Sequence, residues 1–113
     1  MYTELVSNGQ TKLIHLNCRN LDASNADELF EQVSETLDSS NHVVIDLNGL
    51  ELIDSSGLGF LINCYKALKE KNGQMKVVAN TPLVLSLFEL VYFNNLVEVY
   101  DSVDSALSVS ILR

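Results

Sequence analysis

Residues 43–47 read Val-Val-Ile-Asp-Leu, a β-branched run with almost no polar interruption. A half-exposed strand alternates apolar and polar side chains, so a run that is apolar at nearly every position needs cover on both faces. Such strands belong to sheets joined by helical crossovers. Met75-Lys76-Val77-Val78-Ala79 predicts a second strand, and Leu96 to Tyr100 a short last one. Tyr2 to Ser7 and Thr11 to Asn17 predict two N-terminal strands. Between them Asn8-Gly9 supplies the positive φ angles of a two-residue hairpin turn, which makes the pair antiparallel.

The intervening segments carry helical spacing. Ala26, Leu29, Phe30, Val33 and Leu37 step by three or four, predicting a helix of about four turns. Several N-cap candidates precede it in Leu21-Asp22-Ala23-Ser24-Asn25, and Ser24 with Asp27 has capping-box spacing. Leu58, Leu61, Ile62, Tyr65 and Leu68 predict a second helix, with Lys66, Lys69, Glu70 and Lys71 toward water and Asn72-Gly73 as its stop. Thr81-Pro82 opens a third, Thr as N-cap and Pro at the first helical position. Its core stripe is Val84, Leu87, Phe88 and Val91. Leu83, Leu85, Leu90, Tyr92 and Phe93 leave it little polar surface, so wide burial is expected. Asp101 or Ser102 caps a last helix with Val103, Ala106, Leu107 and Ile111 inward. The order ββαβαβαβα predicts one α/β domain over residues 1–113, with a mixed, mostly parallel sheet.

Charge and composition exclude several functions. Fifteen acidic residues against seven basic give a net charge of −8. That balance disfavours nucleic acid and anionic lipid and suits a partner with a basic face. No apolar run approaches the roughly 18 to 20 residues of a membrane span. Met1-Tyr2-Thr3-Glu4 lacks a secretory pattern, so a cytoplasmic location is expected. Cys18 and Cys64 have no partners at metal spacing and read as free, partly buried thiols. His15 and His42 lie in strands and offer no base for a hydrolytic triad. Gly57-Leu58-Gly59 is no dinucleotide fingerprint, because position 62 is Ile, and no Gly-Lys-Ser/Thr follows it. The expectation is a protein without catalytic residues, metal or cofactor.

What remains is Asp54-Ser55-Ser56-Gly57-Leu58-Gly59, at the predicted passage from strand to helix. Free N–H groups and the positive end of a helix dipole make such a junction hospitable to a phosphate. As helix caps alone, Ser55 or Ser56 would contribute about 1 kcal/mol. Asp54 duplicates that cap, however, and two glycines in a first turn cost around 1 kcal/mol each relative to Ala. Small residues there leave the backbone open to another molecule.

Val43 to Leu47 followed by Ile53-Asp54-Ser55-Ser56-Gly57-Leu58-Gly59 resembles the signature of STAS domains, in particular the bacterial anti-sigma factor antagonists. Leu21-Asp22 with Ala26, Ser86 to Leu90, and Val97 to Leu107 are similar to further parts of that family. Cys18-Arg19-Asn20 departs from it where a glycine is common, and Phe93-Asn94-Asn95 where a Gly-Leu turn is common. The resemblance implies a binding protein switched by phosphorylation. Ser55 is the implied phosphorylation site, with Ser56 the runner-up. Asp22, Asp54, Ser56, Gly57, Leu58 and Gly59 are implied partner-binding residues. The implied partners are an anti-sigma factor that is also a serine kinase, which holds the ATP, and a PP2C-type phosphatase. The alternative is a constitutive STAS scaffold or adaptor of a transporter or sensory complex, with Ser55 only a cap.

Overall fold

The computed structural model describes residues 2–7 and 11–111; the predicted Asn8-Gly9 turn lies outside them. Five strands form the main sheet: β1 (Tyr2–Ser7), β2 (Thr11–Leu16), β4 (His42–Asp46), β6 (Gln74–Val78) and β7 (Glu98–Tyr100), in the spatial order β1-β2-β4-β6-β7. β1 pairs antiparallel with β2, and every later pairing in this sheet is parallel. The β-branched run at 43–47 thus holds the central position. Its alternate side chains serve two cores. Val43, Ile45 and Leu47 join the larger cluster, whereas Val44 packs on the opposite face with Leu13, Val78 and Ala106.

Helices α1 (Ala26–Ser39), α2 (Ser55–Lys69) and α3 (Pro82–Leu90) cover the first face, and α4 (Val103–Ile111) covers the second. Leu29, Val33 and Leu37 of α1 are buried with Leu58, Leu61, Cys64 and Leu68 of α2, as the three-four spacing requires. Val103 and Leu107 pack beside the buried Ala106; the Ile111 side chain lies outside the described residues. Asp46, the one polar residue in the central run, is buried beneath this second face. Its carboxylate is satisfied by His15 Nδ1 at 2.9 Å and by the Asn48 N–H at 3.0 Å. His15 therefore serves to pair a buried carboxylate.

Several local expectations are corrected. Two short strands were not apparent in the pattern: β3 (Asn20–Leu21) and β5 (Leu52–Ile53) form a separate parallel pair. The Ser24–Asp27 capping box does not form, since α1 begins after Asn25. Instead Asp22 accepts from the N–H and hydroxyl of Ser24, and Asn25 Oδ1 accepts from the Asp22 N–H. Thr81 and Pro82 do open α3, but the Thr81 hydroxyl donates to the Leu50 carbonyl at 2.7 Å. Lys71 turns back from water and donates to the carbonyls of Leu37 and Asp38 at the end of α1.

The third helix is less buried than its composition suggests. Val84 and Phe88 reach the core, but Leu83 is 57% exposed, Leu90 75% and Tyr92 72%. The chain turns at Tyr92, which holds φ +59°, before a 3₁₀ turn at Phe93–Asn95. A bulky residue in the left-handed region is uncommon. Here it brings Phe93 back inside, with its ring centroid 4.5 Å from that of Phe88.

Candidate functional site

The β3–β5 pair builds the site. Asn20 stands opposite Leu52 and Leu21 opposite Ile53, and the Asp54 N–H then donates to the Leu21 carbonyl at 3.2 Å. Asp22 and Asp54 therefore leave one ladder from adjacent strand ends. Arg19 reinforces the pairing, with Nε and Nη2 each 3.1 Å from a carboxylate oxygen of Glu51. Both side chains are exposed, so the pair fixes geometry more than it adds stability.

Asp54 is the N-cap of α2. Its backbone is extended, and Oδ1 accepts from the Gly57 N–H at 3.0 Å. This settles which side chain caps the helix, and neither serine does so. Ser55 is exposed at the first helical position, Ser56 is half-buried at the second, and neither hydroxyl has a hydrogen-bond partner among the described residues. Their N–H groups lie in the first turn, where an α-helix provides no acceptor of its own. An oxygen anion on Ser55 would face those donors and the positive end of a helix of 15 residues.

The two glycines have separate causes. A Cβ on Gly57 would lie 2.3 Å from the Leu21 carbonyl oxygen and 2.7 Å from the Ile53 side chain. Gly57 is buried because the start of α2 rests directly on the β3–β5 ladder. Leu58 beside it is also buried, in the main core. Both residues present almost no surface, and they shape the junction from within. The idea that both glycines open the backbone to a visitor holds for Gly59 alone, where a Cβ would meet nothing within 4 Å.

The Asp22 carboxyl is held below its ordinary range, first by the Ser24 hydroxyl and then by the Ser24 N–H. A depressed folded-state value contributes stability above the unfolded value and loses it as pH falls through the folded one.

Sequence spacing missed a groove of about 460 Å³ between α1 and α2. Ser56, Gly59, Phe60 and Asn63 line one side; Ala26, Asp27, Phe30 and Glu31 line the other. Phe30 and Phe60 meet edge to face, with centroids 6.5 Å apart. Phe30 looked like an ordinary core position. The signal available in the sequence was the smallness of Ala26 and Gly59 on facing helices, which becomes meaningful only once the helices are known to pack together. No group of three or more His, Cys, Asp or Glu side chains suited to a metal occurs among the described residues. No helix among them is long and apolar enough to cross a membrane.

Comparison with known proteins agrees with this architecture. The STAS domain family matches residues 2–106. An anti-sigma F factor antagonist of Paenibacillus polymyxa is 31% identical over 90 residues, spanning 78% of this chain and 77% of that protein. Among solved structures, an anti-sigma factor antagonist from Mycobacterium paratuberculosis superposes with a TM-score of 0.85 at 24% identity, over 96% of this chain and 92% of that one. The Bacillus cell fate determinant SpoIIAA in its phosphorylated form has a TM-score of 0.73 at 15% identity, over 97% and 99% of the two chains. With a family match over nearly its whole length and a curated relative above 30% identity, the chain belongs to the STAS domain family, among the anti-sigma factor antagonists.

Proposed function

We propose that this chain is a phosphorylation-switched antagonist that binds an anti-sigma factor while Ser55 carries a free hydroxyl. The anti-sigma factor is also the kinase. It transfers the γ-phosphoryl group of ATP to Ser55 Oγ, taking the hydroxyl proton and releasing ADP. A PP2C-type phosphatase then returns the group to water as inorganic phosphate. The chain itself is the substrate and the binding surface.

One observation carries this reading: Asp54 caps α2, so the Ser55 hydroxyl is exposed and unbonded at the helix start. A serine retained only as a cap would be expected to make that bond itself. A relative whose structure is known in a phosphorylated form supports the same chemistry. Phosphorylation adds roughly −1.5 to −2 charge beside Asp54. The helix dipole offsets part of this, by about 0.3–1 kcal/mol at an exposed site, so the fold is retained. A partner surface fitted to a neutral hydroxyl must instead desolvate a dianion next to two carboxylates. A cost of about 4 kcal/mol there weakens binding roughly a thousandfold.

Titration calorimetry of the cognate anti-sigma factor kinase against wild type and Ser55→Asp tests the switch. The expected result is tight binding by wild type and loss of about a hundredfold or more in the variant, with an unchanged circular dichroism spectrum. Equal affinities would contradict it and favour a constitutive scaffold.

A further inference from the structure

We infer that the groove between α1 and α2 is a second anchoring point, which receives a basic, apolar-tipped segment of the same anti-sigma factor partner. This rests on the partner-binding reading above and shares Ser56 and Gly59 with it, but its floor and rim are formed by Phe30, Phe60, Asp27 and Glu31. The floor is apolar and aromatic: Phe60 is buried, Phe30 is half-buried, and their edge-to-face contact fixes both rings. The mouth is wide because Ala26 and Gly59 are small, and space is open where a Gly59 side chain would be. Its volume of about 460 Å³ falls within the roughly 300–1,000 Å³ of ligand-binding clefts.

The rim decides the occupant. Asp27 and Glu31 stand on the α1 side, and both are exposed. They belong to a helix that carries Asp27, Glu28, Glu31, Glu35 and Asp38 and no basic residue at all. Asp27, Glu31 and Glu35 follow one another at i,i+4 spacing, where like charges destabilise a helix. None of the three is paired with a cation among the described residues. An aromatic floor under an uncompensated acidic rim complements an Arg or Lys beside an apolar side chain. The groove includes Ser56, one residue from Ser55, so its occupant would lie next to the switch.

Two measurements test this. In the first, acetyl-Arg-Phe-Arg-amide is titrated into ¹⁵N-labelled Ser55→Ala protein, which removes the switch from the experiment. Salt-sensitive shifts are expected at Phe30, Glu31, Gly59, Phe60 and Asn63, absent with acetyl-Glu-Phe-Glu-amide and absent in Gly59→Leu, whose side chain would fill the mouth. Scattered shifts, or equal shifts with the acidic peptide, would overturn the inference. In the second, binding of the anti-sigma factor kinase is compared for Gly59→Leu and for the double variant Asp27→Lys/Glu31→Lys. Each should weaken binding about tenfold, the loss in the double variant shrinking in high salt. If both bind as wild type while Ser55→Asp does not, the groove is no anchor and the switch stands. If both are weakened while Ser55→Asp binds normally, the switch reading fails and the groove stands.

Discussion

Gly57→Ala would drive a methyl group into the Leu21 carbonyl, a backbone atom held by the β3–β5 ladder and unable to yield cheaply. That overpacking should cost about 2 kcal/mol in urea denaturation. Gly59→Ala, two residues along the same helix, meets open space and should stabilise by about 0.5 kcal/mol, as the better helix former. Equal effects at the two positions would mean that α2 does not rest on β3 as described. At this scale the motif was legible in part. The redundancy of Asp54 as a cap could be read from residue types alone. Which glycine faces inward could not, because that depends on Leu21, more than thirty residues earlier in the chain.

The helices show the same division between local and tertiary causes. The starts of α3 and α4 follow from Thr81-Pro82 and from Ser102, whose hydroxyl accepts from the Ser105 N–H at 3.1 Å. The end of α1 has no basic residue of its own and leaves carbonyls unpaired. Lys71, from beyond α2, supplies the charge by donating to Leu37 and Asp38, the latter at 2.7 Å. Lys71→Met keeps the aliphatic stem and removes those bonds, so a loss of about 1 kcal/mol is expected in urea denaturation. An unchanged midpoint would show that Lys71 is only a surface residue. Spacing placed Lys71 in water because a helical pattern records which face a residue occupies and not where a long side chain bends. The exposure of α3 was hidden for a related reason. Uniform apolarity predicts burial on every side, but here Val84 and Phe88 are fully buried, Leu85 and Leu87 pack partly against the core, and Leu83, Leu90 and Val91 stay exposed.

For the molecule as a whole, the alternation of strand and helix was decisive. It led from the run at 43–47 to a central parallel strand, whereas the β3–β5 pair, two residues on each side, is too short to leave a period. Cys64 sits in the main core, where burial pushes its thiol up to about 12; half-buried Cys18 is raised as well, by burial and then by Asp22. At about pH 8 a thiol reagent should therefore label Cys18 first and reach Cys64 only as the protein unfolds. Equal labelling rates in native buffer would contradict the packing of α2 on the sheet. The proposed switch leaves this packing intact, because Ser55 lies at the surface of α2 and adds charge outside the core. Its most direct test is incubation with the cognate kinase and ATP, followed by site-mapping mass spectrometry of wild type and Ser55→Ala. One phosphate on Ser55 of the wild type and none on the variant is the predicted result. Undiminished incorporation in Ser55→Ala, or none in wild type with a kinase shown to be active, would contradict the account.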